Sequence, residues 1–556
     1  MLSELDRRYD AAIAAVTGPG GKVEVRPDEL GRMIPAQLPG TLPAFFDFFC
    51  MVNAATEAVV AGDERLTFAD LNARATTLAR ALAGAGIAKG DRVAIAMRNC
   101  PAWIVSYMAV VKAGAVATLI NGWWEAGELR HALELTEPKL VIADAGRAKR
   151  IAATGLSLDI VTLPIEEPID AAIAPLLGEE GELPAVTPED DATILFTSGS
   201  TGLAKGAVST HRAVTTGVYT YASQLAVLLG IKEAMGDPPK NPPRTLIIVP
   251  LFHVTGEVPC MLNSFVINRG MVIMPKWDAG EALRLIEKEK ITYFVGVPTM
   301  SLELMEHPDR DKYDLSTMTD IASGGAPRPV AHVPRLEEAF KGAQPAQGYG
   351  LTETNAVGCG NFWSNYHERP ASAGRAHRPF VEFAILADDG SHLPTGGHGE
   401  IGIRSAANIR GYWRDEAATA AAFTADGYFR TGDIGYLDED GYLFIVDRKK
   451  DIIIRGGENI SAAEVEAAIY AHPAISEAAV FGIPCPVLGE RPAAVVYSEK
   501  GDIDAEALTA FLASQIARFK LPERIWVVDA PLPKLGTGKI DKVDLRAHYR
   551  DVAAAA

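Results

Sequence analysis

Short apolar runs alternate with longer amphipathic segments through most of the chain. Apolar positions three and four residues apart predict helices between many of the runs, and one helix follows Asp278, with Glu281 placed for a capping box. The alternation predicts an α/β fold with mostly parallel sheets that helices cover on both faces. The runs that predict strands are RVAIAM (92–97), AVATLI (115–120), KLVIAD (139–144), ATILF (192–196), RTLIIVP (244–250), GMVIMP (270–275) and ITYFVGV (291–297).

The pattern changes near residue 400, where strands and turns replace the regular alternation. Asp440-Gly441 predicts a hairpin turn, Ser461 opens a helix with a capping box, and a further helix is expected from about 504 to 518. The charged run DRKKD marks the junction. We therefore predict a large α/β domain and a small α+β domain, over residues 1–446 and 452–556, with a junction at 447–451.

Composition limits the classes of partner. The chain has 556 residues, which is too long for one ordinary core, and its 71 acidic against 53 basic residues give a net charge of −18. That charge argues against general binding to nucleic acid or to an anionic membrane surface. An anionic ligand must therefore be held by a local concentration of donors.

Cysteine usage and apolar windows suggest a location. Five scattered cysteines without a CxxC pair favour neither disulfides nor a zinc framework, and we expect a reducing cytoplasm. The first ten residues are too charged for a signal peptide. The most apolar window, 102–120, carries Lys112 at its middle, so we expect a buried helix and strand there and no integral membrane segment.

The segment from Ile194 to His211, ILFTSGSTGLAKGAVSTH, concentrates hydroxyl side chains, glycines and a lysine directly after a predicted strand. Glycines let a backbone approach an anion closely, and hydroxyl and ammonium groups donate hydrogen bonds to it, so we predict a phosphate-binding loop. Lys205 is followed by Gly206 and not by a hydroxyl residue, so the Walker pattern does not fit. A flexible linker is the alternative, and the strand before it and the helix after it disfavour that reading.

Five motifs occur along the chain in this order: TSGSTGLAKG (197–206), QGYGLTET (347–354), YFRTGD (428–433), VDRKKDIIIRGGENI (446–460) and LPKLGTGKI (532–540). Together they resemble the adenylate-forming superfamily of acyl-CoA synthetases, peptide-synthetase adenylation domains and beetle luciferases. The resemblance covers about residues 40 to 545 and implies that a carboxylate attacks the α-phosphorus of ATP, with Mg²⁺ as the metal. It also implies that the small C-terminal domain is mobile.

The resemblance implies ligands for magnesium and for the β- and γ-phosphates of ATP. Glu353 corresponds to the magnesium-binding glutamate, and Thr197 to a hydroxyl that joins the metal shell in some members. One carboxylate suffices, because Mg²⁺ is otherwise bound by phosphate oxygens and water. The expected ligands of the β- and γ-phosphates are Thr197, Ser198, Gly199, Ser200, Thr201 and Lys205.

The same resemblance places the nucleoside. Asp433 would accept hydrogen bonds from both ribose hydroxyls, and Arg448 would be its companion at the ribose or a phosphate. Tyr349 would supply a flat face for adenine. The expected neighbours are the backbone of Gly325, Ala326 and Pro327 on the opposite side of the ring, and Gly348, Gly350 and Thr352 around Tyr349.

Lysines are implied for both half-reactions. Lys539 would bridge the substrate carboxylate and the α-phosphate, since its flanking glycines let the loop enter a closed site. The junction 447–451 would be a hinge centred on Lys450, about which the small domain rotates before coenzyme A reacts. Gly456 and Gly457 would then approach the pantetheine chain, and Asn459 would contact the nucleotide.

Two further positions bear on the acid. His253 in PLFHVTG resembles a histidine near the carboxylate end of the acyl pocket, where it gates or orients the acid; a packed histidine is the plain alternative. His377-Arg378 stands where the family usually has a hydrophobic or proline-containing turn. A second departure from the family's usual pattern lies in the phosphate loop, where Ala204 replaces a frequent proline.

These residues favour an acid:CoA ligase for an apolar acid, either fatty or aryl. An amino-acid activator is disfavoured, because Phe252 is followed by His253 and Val254 instead of an aspartate, and because we expect no carrier module after Lys539. Three alternatives stay open: a ligase that loads an acyl-carrier protein, a luciferase-like oxygenase and a non-catalytic AMP-binding sensor. A homodimer is also open.

Overall fold

The structure is a computed structural model, and it describes residues 2–197, 204–324, 328, 330, 332–449, 451–455, 458–485, 487–499, 501, 503–513, 515–535 and 539–555, with the backbone alone at 458–459 and 551–555. The helices are α1 Glu4–Thr17, α2 Leu42–Val52, α3 Phe68–Gly84, α4 Pro101–Lys112, α5 Ala126–Thr136, α6 Ala145–Ala152, α7 Ile169–Ile173, α8 His211–Ala234, α9 Asn263–Val266, α10 Ala279–Glu289, α11 Pro298–Glu306, α12 His332–Ala339, α13 Trp363–Glu368, α14 Glu416–Ala422, α15 Ala462–Tyr470, α16 Ala505–Ala513 and α17 Lys542–Ala555. A π-helix spans Gly256–Leu262, and short 3-10 turns include Thr352–Thr354 and Arg518–Lys520.

The strands are β1 Val25–Pro27, β2 Met33–Pro35, β3 Glu57–Ala61, β4 Glu64–Thr67, β5 Arg92–Ala96, β6 Val116–Leu119, β7 Leu140–Asp144, β8 Ile160–Leu163, β9 Asp191–Thr197, β10 Lys205–Thr210, β11 Arg244–Ile247, β12 Gly270–Ile273, β13 Tyr293–Gly296, β14 Asp320–Ser323, β15 Gln344–Gly350, β16 Gly358–Phe362, β17 Gly374–Ala376, β18 Glu382–Leu386, β19 Gly399–Arg404, β20 Gly411–Tyr412, β21 Phe429–Leu437, β22 Tyr442–Arg448, β23 Ile453–Arg455, β24 Glu458–Ile460, β25 Glu477–Cys485, β26 Gly489–Tyr497 and β27 Arg524–Val528.

Two large sheets contain most of these strands. One sheet has the order β20-β10-β9-β6-β5-β7-β8, and its strands from β9 to β8 are parallel. The other has the order β18-β19-β21-β22-β17-β16-β15-β14-β13-β11-β12-β3-β4, and it is parallel from β15 to β3. Its strands from β15 to β18 continue antiparallel. The predicted α/β fold is therefore confirmed, with a parallel centre and an antiparallel extension.

Each of the seven apolar runs forms a strand; six strands are shorter than the run by one to three residues, and β9 is longer than its run by one residue at each end. The side chain of Asp278 caps α10 by accepting a 2.8 Å hydrogen bond from the Glu281 amide. The window 102–120 forms α4 and β6, and Lys112 is buried there and contacts the carboxylate of Asp47. Apolar periodicity thus identified the buried elements correctly.

Among the described residues, one helix is long and apolar enough to cross a bilayer. That helix is α8, and 72% of its most apolar window is buried inside the protein. It packs against α1, α9 and the π-helix. Its apolar composition is therefore explained by packing in the interior.

The residues after the charged run form a separate small sheet, with the order β24-β23-β26-β25 and β27 beside β26. Helices α15 and α16 enclose one apolar cluster against it, and α17 encloses another. Ser461 caps α15 through the Glu464 amide at 3.0 Å. The expected helix over 504–518 is shorter, since α16 ends at Ala513 and a 3-10 turn follows at Arg518–Lys520.

Helix α1 holds a buried carboxylate that the sequence did not indicate. Asp6 is 2% exposed and accepts hydrogen bonds from the hydroxyl of Tyr442 at 3.0 Å, from Asn365 at 3.1 Å and from Arg375 at 3.2 Å. Arg375 also forms an ion pair with Asp10. This N-terminal cluster joins α1 to the start of β22.

Candidate active site

Tyr349, Asp433 and Arg448 come together from three strands of the thirteen-stranded sheet, β15, β21 and β22. The Tyr349 hydroxyl donates to Asp433 Oδ2 at 2.6 Å, and Arg448 Nε lies 3.2 Å from Oδ1. Strand pairing places Asp433 opposite Arg448 across β21 and β22. The Asp433 side chain is only 6% exposed, so it is a buried acceptor whose donors are aligned before any ligand arrives.

The glycines beside Tyr349 differ in what surrounds them. A Cβ on Gly350 would lie 2.0 Å from the carbonyl oxygen of Ala356, so close backbone packing requires glycine there. A Cβ on Gly348 would meet nothing within 4 Å. The space beside Gly348 is therefore open, as a nucleobase next to Tyr349 would need.

Tyr412 connects the phosphate loop to Glu353. Thr197 and Lys205 pair across β9 and β10, so the two ends of the loop lie side by side. Lys205 Nζ lies 5.0 Å from the centre of the Tyr412 ring, and the Tyr412 hydroxyl donates to Glu353 Oε1 at 3.0 Å. The charges predicted to bind phosphate and magnesium are thus brought together.

The carboxyl of Glu353 is a suitable magnesium ligand. Burial raises its pKa, which means that an ionised carboxylate there is short of favourable partners, although the charge of Arg448 acts in the opposite direction. A bound cation would stabilise the ionised form. None of the described residues forms a cluster of three or more His, Cys, Asp or Glu that could hold a metal ion.

Lys539 and His253 both line a cavity of about 20 Å³. Burial, together with the charge of Arg448, lowers the pKa of the Lys539 ammonium to about 8, and the charge of Asp433 partly opposes this shift. The predicted lysine thus lies beside the predicted ribose pair. The remaining lining residues are Val249, Pro250, Thr255, Gly296, Val297 and Gly324.

His253 is neutral at physiological pH. Burial lowers the pKa of its imidazole to about 3, and the charge of Lys539 contributes. Its Nδ1 accepts a hydrogen bond from the Thr255 amide at 3.3 Å, so the ring proton belongs on Nε2. Nε2 is therefore a donor that can orient the carboxyl group of an acid.

The structure brings together the predicted residues that it describes: Thr197, Lys205, Tyr349, Glu353, Asp433, Arg448, Lys539 and His253, with Gly348, Gly350 and Thr352 alongside. Other predicted residues lie outside the described part of the chain, namely Ser198, Gly199, Ser200, Thr201, Gly325, Ala326, Pro327, Lys450, Gly456 and Gly457. Asn459 is described only by its backbone, in β24.

Sequence reasoning missed Tyr412 and the cavity wall. Tyr412 lies in the short strand β20, and the segment RGYW gives only a turn-like signal. Gly296 and Val297 come directly from the end of β13, so the rule that ligands bind at the carboxyl ends of parallel strands could have indicated them. A larger groove of about 430 Å³ between α2 and α3 contains none of the predicted site residues.

Comparison with known proteins agrees with this geometry. The AMP-binding enzyme family matches residues 46–413, and the AMP-binding enzyme C-terminal domain matches residues 464–539. A long-chain-fatty-acid–CoA ligase of Bacillus subtilis is 35% identical over 86% of this chain and 89% of its own length. A feruloyl-CoA synthase of Amycolatopsis is 34% identical over 88% and 96%. ATP-bound MatB from Rhodopseudomonas palustris superposes with a TM-score of 0.80 at 29% identity, over 92% of this chain and 99% of that one.

The chain therefore belongs to the AMP-binding enzyme family. Within it, the protein is an ATP-dependent acid:CoA ligase that forms an acyl-adenylate and then the CoA thioester, releasing pyrophosphate and AMP. Its substrates and cofactor are a carboxylic acid, ATP, coenzyme A and Mg²⁺. The relatives do not favour loading of a carrier protein or a non-catalytic sensor.

Proposed function

We propose that this ligase activates a predominantly apolar acid, aliphatic or aromatic, whose carboxyl group is bound beside Lys539 and His253, which line one small cavity. One observation carries the proposal: a lysine from the C-terminal end of the chain lies in the same wall as residues from the carboxyl ends of the parallel strands. Apart from these two side chains and Thr255, the wall consists of valine, proline and glycine. Similarity to enzymes named for long-chain fatty acids and for feruloyl-CoA supports both kinds of acid.

The adenylation step needs positive charge between two anions. A carboxylate oxygen attacks the α-phosphorus, and the bond from that phosphorus to the pyrophosphate oxygen breaks. The ammonium of Lys539 donates to both the acid and the α-phosphate, while Lys205 holds the departing pyrophosphate. When bound, Mg²⁺ supplies further positive charge to the phosphates, with Glu353 as its carboxylate ligand and Thr197 nearby.

The nucleoside is held by the residues that meet at β15, β21 and β22. Asp433 accepts from the ribose hydroxyls and Arg448 flanks it. Tyr349 contributes its ring to adenine, with its hydroxyl bound to Asp433. These roles account for a buried carboxylate whose donors are already aligned.

The second step places coenzyme A at the same carbonyl. The thiol sulfur attacks the carbonyl carbon, the bond to AMP breaks, and the thiol proton passes to solvent. We assign the hinge to 447–451 and its turning point to Lys450, with Gly456 and Gly457 approaching the pantetheine after rotation. In the structure, Asp447 accepts a 3.4 Å hydrogen bond from the Ala463 amide of α15, a contact that rotation would have to break.

An assay of AMP release over a panel of acids, with and without coenzyme A, tests the proposal. Fatty and aryl acids should give acid-dependent pyrophosphate exchange, and coenzyme A should convert that exchange into thioester and AMP. Absence of exchange with every fatty and aryl acid would overturn the proposed substrate class. Lys450→Pro should impair thiolation more than adenylation, and equal loss would contradict the hinge.

We also propose a cytoplasmic location and a homodimer. All five cysteines are free, which agrees with a reducing cytoplasm. A homodimer stays a prediction that light scattering on the purified chain would check.

A further inference from the structure

Glu257 is a buried carboxyl group that contacts neither the nucleotide residues nor the phosphate loop. It is the second residue of the π-helix Gly256–Leu262 and is 0% exposed. Its Oε1 accepts a 2.6 Å hydrogen bond from the hydroxyl of Tyr107 in α4. Its Oε2 is buried and has no hydrogen-bond partner in the part of the chain that the structure describes. A buried polar atom without a partner is destabilising, so this carboxyl calls for an explanation.

The stretch 249–257, here the cavity segment, is attached to the α4 region at both ends. Near its start, Asn99, which precedes α4, accepts a 2.9 Å hydrogen bond from the Leu251 amide. At its end, Tyr107, about two helical turns further along, donates to Glu257. Four residues of the cavity segment line the cavity that Lys539 also lines: Val249, Pro250, His253 and Thr255.

Glu257 is joined to His253 through the backbone. The Glu257 amide donates to the His253 carbonyl at 3.0 Å, and the His253 amide donates to the Pro250 carbonyl at 3.0 Å. A Cβ on Gly256 would lie 2.2 Å from the carbonyl oxygen of Pro250, so the first turn of the π-helix packs directly on the cavity wall. A displacement of Glu257 would therefore be transmitted to the imidazole that lines the cavity.

The far end of the π-helix is held by a buried arginine. Arg269 is 4% exposed, and its guanidinium donates to the carbonyls of Pro259 and Cys260 at 2.8 and 2.9 Å. The same guanidinium donates to the hydroxyl of Ser264 at 3.0 Å. Because this end is anchored, a change at Glu257 acts on the first turn of the π-helix, beside the cavity.

We propose that Glu257 is a positioning residue for adenylation, which holds the His253 imidazole where it orients the carboxyl group of the acid. The inference rests on the proposed function, and it assigns Glu257 no contact with the acid itself. A protonated carboxyl occupies the buried position without a charge and still accepts from Tyr107. An ionised one leaves a buried charge with a single donor, so the first turn of the π-helix must move to admit water or another partner. The neutral form is therefore the positioning form.

Glu257 changes its charge near neutral pH. Burial raises its pKa to about 7, and the hydrogen bond from Tyr107 partly opposes this shift. The π-helix packs against α8, α9 and β11, and α4 adds Tyr107. The other partly or fully buried titratable side chains of these elements are bonded to other groups: Lys112, His211, Arg212, Tyr219, Tyr221, Lys232 and Arg244.

The pH dependence of the KM for the acid tests the proposal. Pyrophosphate exchange is measured from pH 6 to 8 with the fatty or aryl acid that gives the fastest exchange. As Glu257 ionises, the KM for the acid should rise about two- to tenfold, the size of one lost hydrogen bond. Glu257→Gln accepts the same hydrogen bond but cannot ionise, so its KM for the acid should stay constant. An equal rise in both proteins would overturn the inference.

The KM for ATP is the internal control. Substrate phosphates also titrate in this range, so the KM for ATP should follow the same course in the unmodified enzyme and in Glu257→Gln. A merely structural role for Glu257 would lower the active fraction, and with it kcat, while the KM for the acid stayed the same. That result would contradict the positioning role.

Tyr107→Phe tests the partner of Glu257. The substitution removes the donor, so the KM for the acid should rise about two- to tenfold at pH 6.5. Because that hydroxyl lowers the pKa of Glu257, the further rise of KM with pH should move to higher pH. Tyr219→Phe is the matched control, since its equally buried hydroxyl donates to the Pro39 carbonyl at 2.9 Å, and it should leave the KM for the acid unchanged. If Tyr107→Phe misfolds, the comparison of Glu257→Gln with the unmodified enzyme decides.

The same measurements separate this inference from the function on which it rests. If no fatty or aryl acid supports exchange at any pH, the proposed function and the positioning role both fail. If exchange occurs and the KM for the acid is the same in the unmodified enzyme and in Glu257→Gln at every pH, only the positioning role fails.

Discussion

Strand β22 carries a cluster of buried charges at each end, and the two clusters are built differently. At its first residue, Tyr442, the N-terminal cluster surrounds Asp6 with Asn365 and Arg375. At its last residue, Arg448, the catalytic cluster contains Asp433, Glu353 and Lys539. Both ends belong to one strand of seven residues.

The difference lies in how completely the charges are paired. Asp6 receives donors at both oxygens, and Arg375 bonds both Asp6 and Asp10. In the catalytic cluster, Glu353 has a raised pKa and Lys539 a lowered one, so both charged forms lack favourable partners. No carboxylate among the described residues forms an ion pair with Lys539. The N-terminal cluster is complete without a ligand, whereas we propose that the catalytic one is completed by ATP and Mg²⁺.

This contrast predicts that substitutions in the N-terminal cluster change the free energy of unfolding, and that substitutions in the catalytic cluster change the rate of adenylation. The largest effect belongs to Asp6→Ala, which leaves Arg375 without its most buried partner. Removing one side of a buried ion pair costs about 3–5 kcal/mol, so chemical denaturation should show a loss of that size. Asp10→Ala is the control, since Asp10 is 39% exposed and its pair should contribute less than about 1 kcal/mol.

Activity completes that test. The folded fraction of the Asp6→Ala protein should keep the ATP KM of the unmodified enzyme. A raised KM with unchanged stability would show instead that the N-terminal cluster serves the nucleotide site.

Lys539→Ala should have the next largest effect, and it should appear in the rate. Loss of one donor to a developing charge costs about 10²–10³ in adenylation, measured by pyrophosphate exchange. Stability should not fall, because a buried charge without an ion-pair partner is removed. Lys520→Ala, in the same small domain and paired with Glu464, should leave exchange within about twofold.

The second half-reaction makes this prediction specific. Thioester formation from a supplied acyl-adenylate should survive Lys539→Ala. Equal loss in both half-reactions would remove the assigned role of Lys539 and with it the contrast between the clusters.

Whether the sequence could predict a residue of these clusters depends on how far apart along the chain the contacting residues are. Local periodicity located the strands, and motifs identified Asp433, Glu353 and Lys539. Asp6 and Tyr442 are 436 positions apart, and no local pattern signals that a helix-capping aspartate will be buried against another element. Tyr412 was missed for the same reason, because its role depends on the pairing of β20 with β10.

The lowered pKa of Lys539 predicts how the adenylation rate depends on pH. Its pKa of about 8 lies below the ordinary lysine value, so adenylation kcat/KM should fall about tenfold per unit above pH 8 as the ammonium deprotonates. Lys539→Arg should remove this alkaline limb, since a guanidinium stays charged. Asp433 raises the pKa of Lys539, so Asp433→Asn should move the limb to lower pH. If kcat/KM falls over the same pH range in both variants, the deprotonation of another group causes that fall.

The lowered pKa of Lys539 also affects the free energy of unfolding, which should rise with pH where the adenylation rate falls. The unfolded chain binds more protons at Lys539 than the folded chain does between about pH 8 and 10.4. The contribution of this lysine to the free energy of unfolding should therefore become more favourable as pH rises through that window. Lys539→Ala should abolish that contribution, which difference denaturation curves would measure.

Tyr412→Phe should have the smallest effect, and it tests whether the catalytic cluster needs the hydroxyl that donates to Glu353. The substitution keeps the ring under Lys205 but removes a 3.0 Å hydrogen bond to the carboxylate, which contributes about 0.5–1.5 kcal/mol. The concentration of Mg²⁺ for half-maximal exchange should therefore rise about two- to tenfold, with stability nearly unchanged. Tyr428→Phe is matched, since its hydroxyl also donates to a carboxylate, Glu382, at 3.4 Å, outside the site. If both variants shift the Mg²⁺ dependence equally, Tyr412 does not act through Glu353, and the phosphate loop and the metal ligand are coupled only through ATP.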